Sequence, residues 1–306
     1  MKPPQKFCLA ILILASTFFS VPQTGSAQEL EPRAYSPAPI RANLILLTYT
    51  YSRGGIFTDP SLPIRNAKAV VSTASLVYVR TFGLAGRTAS LALVVPYAWG
   101  KASGDFLGEY QRISRSGMAD PRLRFSINLM GGPALTAREF AARKPGPTLG
   151  ASFMVVGPLG QYDPSRLINI GSNRWAFKPE LGLSYPAGRW LLELYGGVWL
   201  FADNHNFFGG QLREQNPIGS VQAHVSYAFR PRLWLAADGV YYLGGRTIVN
   251  GEYKADLQKN SRVGVTLALP FGRGHALKIA LSSGLWVVKG ADFTTFQLSW
   301  QYTWLD

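Results

Sequence analysis

The 306-residue sequence predicts an all-β fold, a transmembrane antiparallel up-and-down β-barrel of about twelve strands with short periplasmic turns and longer extracellular loops. Three observations carry this. The chain beyond residue 41 falls into segments of ten to fourteen residues that alternate apolar and polar side chains with period two. From the third segment onward, one of the two parities carries no charge. Finally, nothing after residue 27 approaches 18 consecutive apolar residues, so a chain this apolar crosses a bilayer only as a closed barrel.

The N-terminus has the layout of a secretory signal over residues 1–27. Lys2 and Lys6 precede an apolar run from Phe7 to Val21, and Gly25-Ser26-Ala27 supplies small residues for cleavage before Gln28. The apolar run is short for a spanning helix, and no basic stop follows it. Cys8 stands before the run and not at a cleavage point, which argues against a lipoprotein anchor. It is the only cysteine, so the mature chain has neither disulfides nor thiol chemistry. Residues 28–41, with Pro32, Pro37 and Pro39, are expected as an extended periplasmic lead-in, and 42–306 as the barrel.

The twelve segments lie near 42–52, 68–82, 88–99, 120–130, 148–158, 174–185, 190–201, 218–229, 233–243, 261–270, 276–288 and 293–304. Tilted transmembrane strands need roughly 9–11 residues, and bacterial single-chain barrels have an even count. In the sixth segment Trp175, Phe177, Pro179, Leu181, Leu183 and Tyr185 share one face, against Arg174, Ala176, Lys178, Glu180, Gly182 and Ser184. The eighth sets Val221, Ala223, Val225, Tyr227 and Phe229 against Ser220, Gln222, His224, Ser226 and Ala228. A soluble β-sandwich also alternates, but its polar face would be solvated and rich in Lys, Glu and Thr. Here that face mixes Gly, Ala and Ser with isolated charges, as a crowded lumen would. Aromatic residues gather at segment ends (Tyr97, Trp99, Trp175, Tyr185, Trp190, Phe229, Trp300, Trp304), as interfacial girdles do.

Connection lengths set the orientation. Short links at 83–87, 186–189, 230–232 and 271–275 alternate with longer ones at 53–67, 100–119, 159–173, 202–217 and 244–260, which puts both ends of the barrel domain at the periplasmic side. The short outer link at 289–292 and the long inner one at 131–147 depart from this pattern. In the latter, Thr136 and Glu139 have capping-box spacing, so a small helix is expected there, either a surface turn or a cover for the inner mouth.

The formal charge is +14, and loss of Lys2 and Lys6 from 31 basic residues against 17 acidic ones leaves +12. Such an excess suits anionic partners: lipopolysaccharide, an acidic solute or nucleic acid. Export and the lack of a recognition motif exclude nucleic acid. Candidate pore-lining residues on the polar parity are Arg122, Arg124, Arg174, Lys178, Arg262 and Lys278, with Glu180, Glu193, His224 and Asp238. Rings of Arg and Lys would favour anions. The same charges could equally pair with one another and fill a narrow barrel, since twelve strands lie between the filled eight-strand type and the open porins. The outer loops carry Lys101, Arg112, Arg115, Arg213, Arg246, Lys254 and Lys259, candidates for lipopolysaccharide phosphates or simply solvated charge.

His224 and Ser226, two apart on one strand face, resemble the His-x-Ser element of outer-membrane phospholipase A. In that family an Asn-Gly follows and the pair faces lipid; here Tyr227-Ala228 follows and the parity points inward, so no enzymatic activity is expected. Asp203-Asn204-His205-Asn206 reads as a polar loop tip, with too few convergent ligands for a metal. No cofactor or metal is called for.

The stretch Gly117 to Asn128 (GMADPRLRFSIN), the block Pro158-Leu159-Gly160-Gln161-Tyr162-Asp163, the run Asn169 to Trp175, Lys178-Pro179-Glu180 and the Glu29-to-Ile40 lead-in together resemble one family across nearly the whole mature chain. It is the outer-membrane transporter-like family named for the meta-cleavage pathway of phenol degradation. The resemblance implies an outer-membrane barrel associated with uptake of aromatic or other hydrophobic compounds. The sequence as a whole therefore leads to the expectation of an outer-membrane channel for passive uptake of small solutes, anionic or aromatic. A structural or surface-binding barrel without an open pore is the alternative, and a lipid-modifying outer-membrane enzyme a more distant one.

Overall fold

The computed structural model describes residues 30–57, 64–106 and 108–306. The signal segment expected at 1–27 lies outside the described residues, as do Gln28 and Glu29. Each segment with period-two alternation forms a strand: β1 (Ala42–Phe57), β2 (Ile64–Leu84), β3 (Arg87–Phe106), β4 (Glu109–Met118), β5 (Arg122–Met130), β6 (Thr148–Val156), β7 (Ala176–Ala187) and β8 (Trp190–Phe201). After β9 (Asn204–Phe207) and β10 (Gln211–Gln215) come β11 (Ile218–Arg230) and β12 (Leu233–Gly244). Last are β13 (Thr247–Val249), β14 (Glu252–Tyr253), β15 (Gln258–Phe271), β16 (His275–Trp286) and β17 (Gly290–Leu305).

Every pairing is antiparallel between neighbours, and β1 closes on β17 from Ala42↔Leu305 to Phe57↔Gly290. Taking β4 and β5 as one interrupted strand, since both pair with β3, the ring has twelve members. The interruption is at 119–121, where Pro121 has no N–H to offer a ladder. There the Asp120 carboxylate turns aside to accept hydrogen bonds from Gly160 N (2.9 Å), Ser172 N (2.8 Å) and Ser172 Oγ (2.6 Å), pinning the 157–175 loop to the gap.

The burial pattern is the reverse of a water-soluble core. Leu47, Leu76, Leu93, Leu181, Leu194, Val225 and Leu298 lie exposed on the outside, while Thr48, Ser75, Ser126, Gln222 and Gln301 are buried within. So large an apolar exterior is a liability in water and a requirement in hydrocarbon. Among the described residues no helix is long and apolar enough to cross a membrane. β2 and β3, at 21 and 20 residues, are about twice the length that a tilted spanning strand needs. Their surplus projects past the barrel at the end away from the β1–β17 seam termini.

The capped helix expected in 131–147 is α1 (Ala137–Ala142), in which both halves of the Thr136/Glu139 capping box form. The stretches 202–217 and 244–260 hold more order than expected: β9, β10, β13 and β14 make a small four-stranded sheet over the ends of β8, β11 and β12. Strands of two to five residues are too short to show a period in sequence.

The expected extended periplasmic lead-in needs correction. From Arg41 at the seam, the chain of residues 30–41 runs up inside the barrel, with a turn at 32–35. Its lower end is held by Arg41 N donating to Thr81 O (2.9 Å), Thr81 Oγ1 to Pro39 O (2.6 Å) and Thr88 Oγ1 to Ala38 O (3.3 Å). The physical reason is charge and size complementarity. Glu31, Arg33 and Tyr35 find partners on the lumen wall that an extended tail in water would lack.

Candidate functional site

The lumen wall has room for this segment because two glycines share one register pair. Gly150 and Gly182 face each other across β6 and β7. A Cβ on either would stand 2.2 or 2.1 Å from the Tyr35 ring, so only glycine lets the aromatic plane lie flat on the backbone. The Tyr35 hydroxyl lies 2.8 Å from Ser152 Oγ and donates to Glu180 Oε1 (2.9 Å), and its ring meets Tyr195 edge-on with centroids 5.0 Å apart. One turn further in, Leu30 enters an apolar box of Met154, Val156, Ala176, Trp199, Ile218, Val240 and Tyr242. Gly264 leaves space for it in the same way, with Leu30 Cδ1 2.8 Å from where a Cβ would be.

The ten candidate residues of the polar parity sit as follows. Arg124 is the hub: its guanidinium pairs with Glu31 of the inserted segment, with Glu180 (3.1 Å) and with the Tyr35 hydroxyl (3.1 Å). Lys178 pairs with the other oxygen of Glu180 at 2.8 Å, and Gln222 Nε2 donates to it at 3.3 Å. Glu193 accepts from Ser184 (2.8 Å), from Tyr195 (2.6 Å) and from the backbone N of Arg33 (2.7 Å). His224 Nδ1 lies 2.8 Å from Asp238, whose second oxygen accepts from Thr266 at 2.7 Å. Lys278 is buried, and its amine has no hydrogen-bond partner among the described residues. Arg262 donates to Phe293 O, Thr295 Oγ1 and Ser282 Oγ. Arg174 donates to Gln215 in the small outer sheet and lies 4.5 Å over the Phe201 ring. Arg122 is half-buried at the start of β5.

Across the middle of the lumen, Arg33, Arg124, Lys178 and Lys278 face Glu31, Glu180, Glu193 and Asp238. Four bases meet four acids, so the central charges neutralise one another. Two of these eight charges were not legible as lumen charge, because Glu31 and Arg33 belong to the segment expected outside. Arg174 and Arg262 lie apart from this network, in the half of the lumen away from the seam termini. Ser226 Oγ and His224 Nε2 are both buried and neither has a hydrogen-bond partner among the described residues, so the two do not form a nucleophile–base pair. Outside the lumen, a groove of about 520 Å³ lies among the loops, lined by Ser114, Arg115, Gln161, Tyr162, Asp163 and Arg166. Among the described residues no three His, Cys, Asp or Glu side chains gather as metal ligands.

The barrel is similar to the COG4313 outer membrane channel from Pseudomonas putida F1, with a TM-score of 0.76 at 20% identity over 90% of this chain and 100% of that one. It is less similar to the β domain of the Bordetella autotransporter BrkA, with a TM-score of 0.51 at 11% identity over 86% of this chain and 100% of the other. At these identities both likenesses speak to the fold. A comparison with curated protein sequences gives no match. The family described as "Putative MetA-pathway of phenol degradation" has a model that matches residues 61–302, so this chain belongs to that family.

Proposed function

We propose that this protein is an outer-membrane channel for the passive entry of small solutes, favouring those that join an apolar or aromatic body to an anionic group. The observation that carries this is the lumen. A ring with an apolar outside encloses polar and charged walls, and the space between them is taken by a tethered piece of the same chain, held by ion pairs and hydrogen bonds. The family's description points to aromatic metabolism, and the neighbour from P. putida is called an outer membrane channel in its own right. The excess of basic over acidic residues in the chain, with Arg174 and Arg262 adding guanidinium groups to the lumen, supports a bias toward anions. No catalytic role is assigned to His224 or Ser226. The partners are lipid and lipopolysaccharide on the outside and the solute within.

Liposome swelling with reconstituted protein tests this. Benzoate and phenol should enter faster than a sugar of similar size, and the reversal potential in a salt gradient should lie on the anion side. A cation-selective pore refutes the anionic preference. A second reading, a surface-binding barrel without an open pore, draws on the same filled centre; it requires that no discrete current steps occur in any condition.

A further inference from the structure

The inserted segment presents two neighbouring groups to two different surroundings. Leu30 is buried in the box of Met154, Val156, Trp199, Ile218, Val240 and Tyr242, and the Glu31 carboxylate is buried on Arg124. An apolar body beside a carboxylate is the chemical outline of a small apolar carboxylic acid. We infer that this place is a binding site for an apolar or aromatic monocarboxylate, and that Leu30 and Glu31 occupy it in the solute's stead until the solute displaces them. The inference rests on the channel reading and names the solute class of that lumen.

Three features of the site fit an exchangeable occupant. Arg124 keeps Glu180 and Tyr35 as partners when Glu31 leaves, so its charge is never stranded, and a solute carboxylate restores the third contact. One Glu31 oxygen and the Trp199 indole N–H are buried with no hydrogen-bond partner among the described residues, so the segment satisfies its site incompletely. A ring oxygen on a solute could accept from that indole, which Leu30 cannot do. The glycine at 264 keeps the box wide at the point where the Leu30 side chain enters.

Competition gives the test. The full-length protein in detergent is titrated calorimetrically with benzoate and with benzyl alcohol, in wild type and in the Glu31→Ala and Leu30→Ala variants. Both changes are in the inserted segment and touch no strand pairing. Benzoate should bind Glu31→Ala about tenfold tighter than wild type, the scale of one charge-assisted hydrogen bond no longer contested. Benzyl alcohol should change by less than about twofold in Glu31→Ala and gain only in Leu30→Ala. Equal benzoate affinity in wild type and Glu31→Ala overturns the inference, and so does an equal gain for both ligands in that variant. The gain for benzoate together with zero conductance in every protein would refute passage while supporting this site.

Discussion

Substituting Gly182 by Ala isolates the contact on which the filling of the lumen depends. The new methyl would stand 2.1 Å from Tyr35 Cδ2, and the ring cannot slide toward β6, where Gly150 is equally close. Backbone holds both sides, so the ring must leave. Expulsion forfeits the burial of a tyrosine, roughly 4–6 kcal/mol at 25 cal/mol per Å2 over 150–250 Å2. That is an upper bound, because water entering the lumen re-solvates Ser152, Glu180 and Arg124. Even half of it moves the segment from almost always inserted to substantially released, since about 5.5 kcal/mol converts a 99:1 population to 1:99. The readouts are single-channel conductance and limited proteolysis of residues 30–41, with Gly196→Ala as control; Gly196 is exposed and its added Cβ meets nothing within 4 Å. Gly182→Ala should raise conductance and expose the segment to protease, and the control should do neither. If the two variants behave alike, the docking of Tyr35 does not fill the lumen as argued.

Other expectations follow from the same geometry. Arg124→Met leaves Glu31 without its ion-pair partner in the lumen and should cost about 3–5 kcal/mol in urea unfolding from detergent or lipid, whereas Arg124→Met with Glu31→Gln should recover most of it, since Glu180 keeps Lys178. Leu194→Arg, on the outside of β8, should destabilise the lipid-inserted barrel by about 2–4 kcal/mol, measured the same way, and by far more than Gln222→Thr within. Asp120→Ala releases three hydrogen bonds to the 157–175 loop and should speed amide exchange at Gly160 and Ser172. Glu139, outside the barrel strands, accepts from the Thr136 backbone and hydroxyl, which hold its carboxyl below the ordinary 4.5. Its contribution to α1 is therefore complete above pH 4.5 and is lost as the pH falls through the lowered value, seen as faster exchange of the Thr136 amide.

The strands were legible because hydrocarbon imposes a rule on every second residue. Leu192, Leu194 and Val198 had to be free of charge, whatever the lumen does, so the parity of β8 could be read with no knowledge of its partners. The same holds for Leu181 and Leu183 against Lys178 and Glu180. The course of residues 30–41 was not legible, since three prolines and no period describe a tail as well as a filling. Its signal was indirect. Gly150 and Gly182 on the polar parity are small where a lumen wall needs no smallness, but only the register between β6 and β7 shows that they face each other. The small outer sheet was hidden for another reason: its pairing joins residues near 204–215 to residues near 247–253, and such long-range contacts leave no local trace.

The central claim is that alternate side chains of each strand meet hydrocarbon while their neighbours line a polar interior. Nitroxide labels placed singly along residues 190–201 of β8, in reconstituted protein, test it most directly through collision with dissolved oxygen. Oxygen accessibility should rise at 192, 194 and 198 and fall at 193, 195 and 199, a period of two through the middle of the strand. Uniform accessibility along the strand, or the opposite phase, would contradict it.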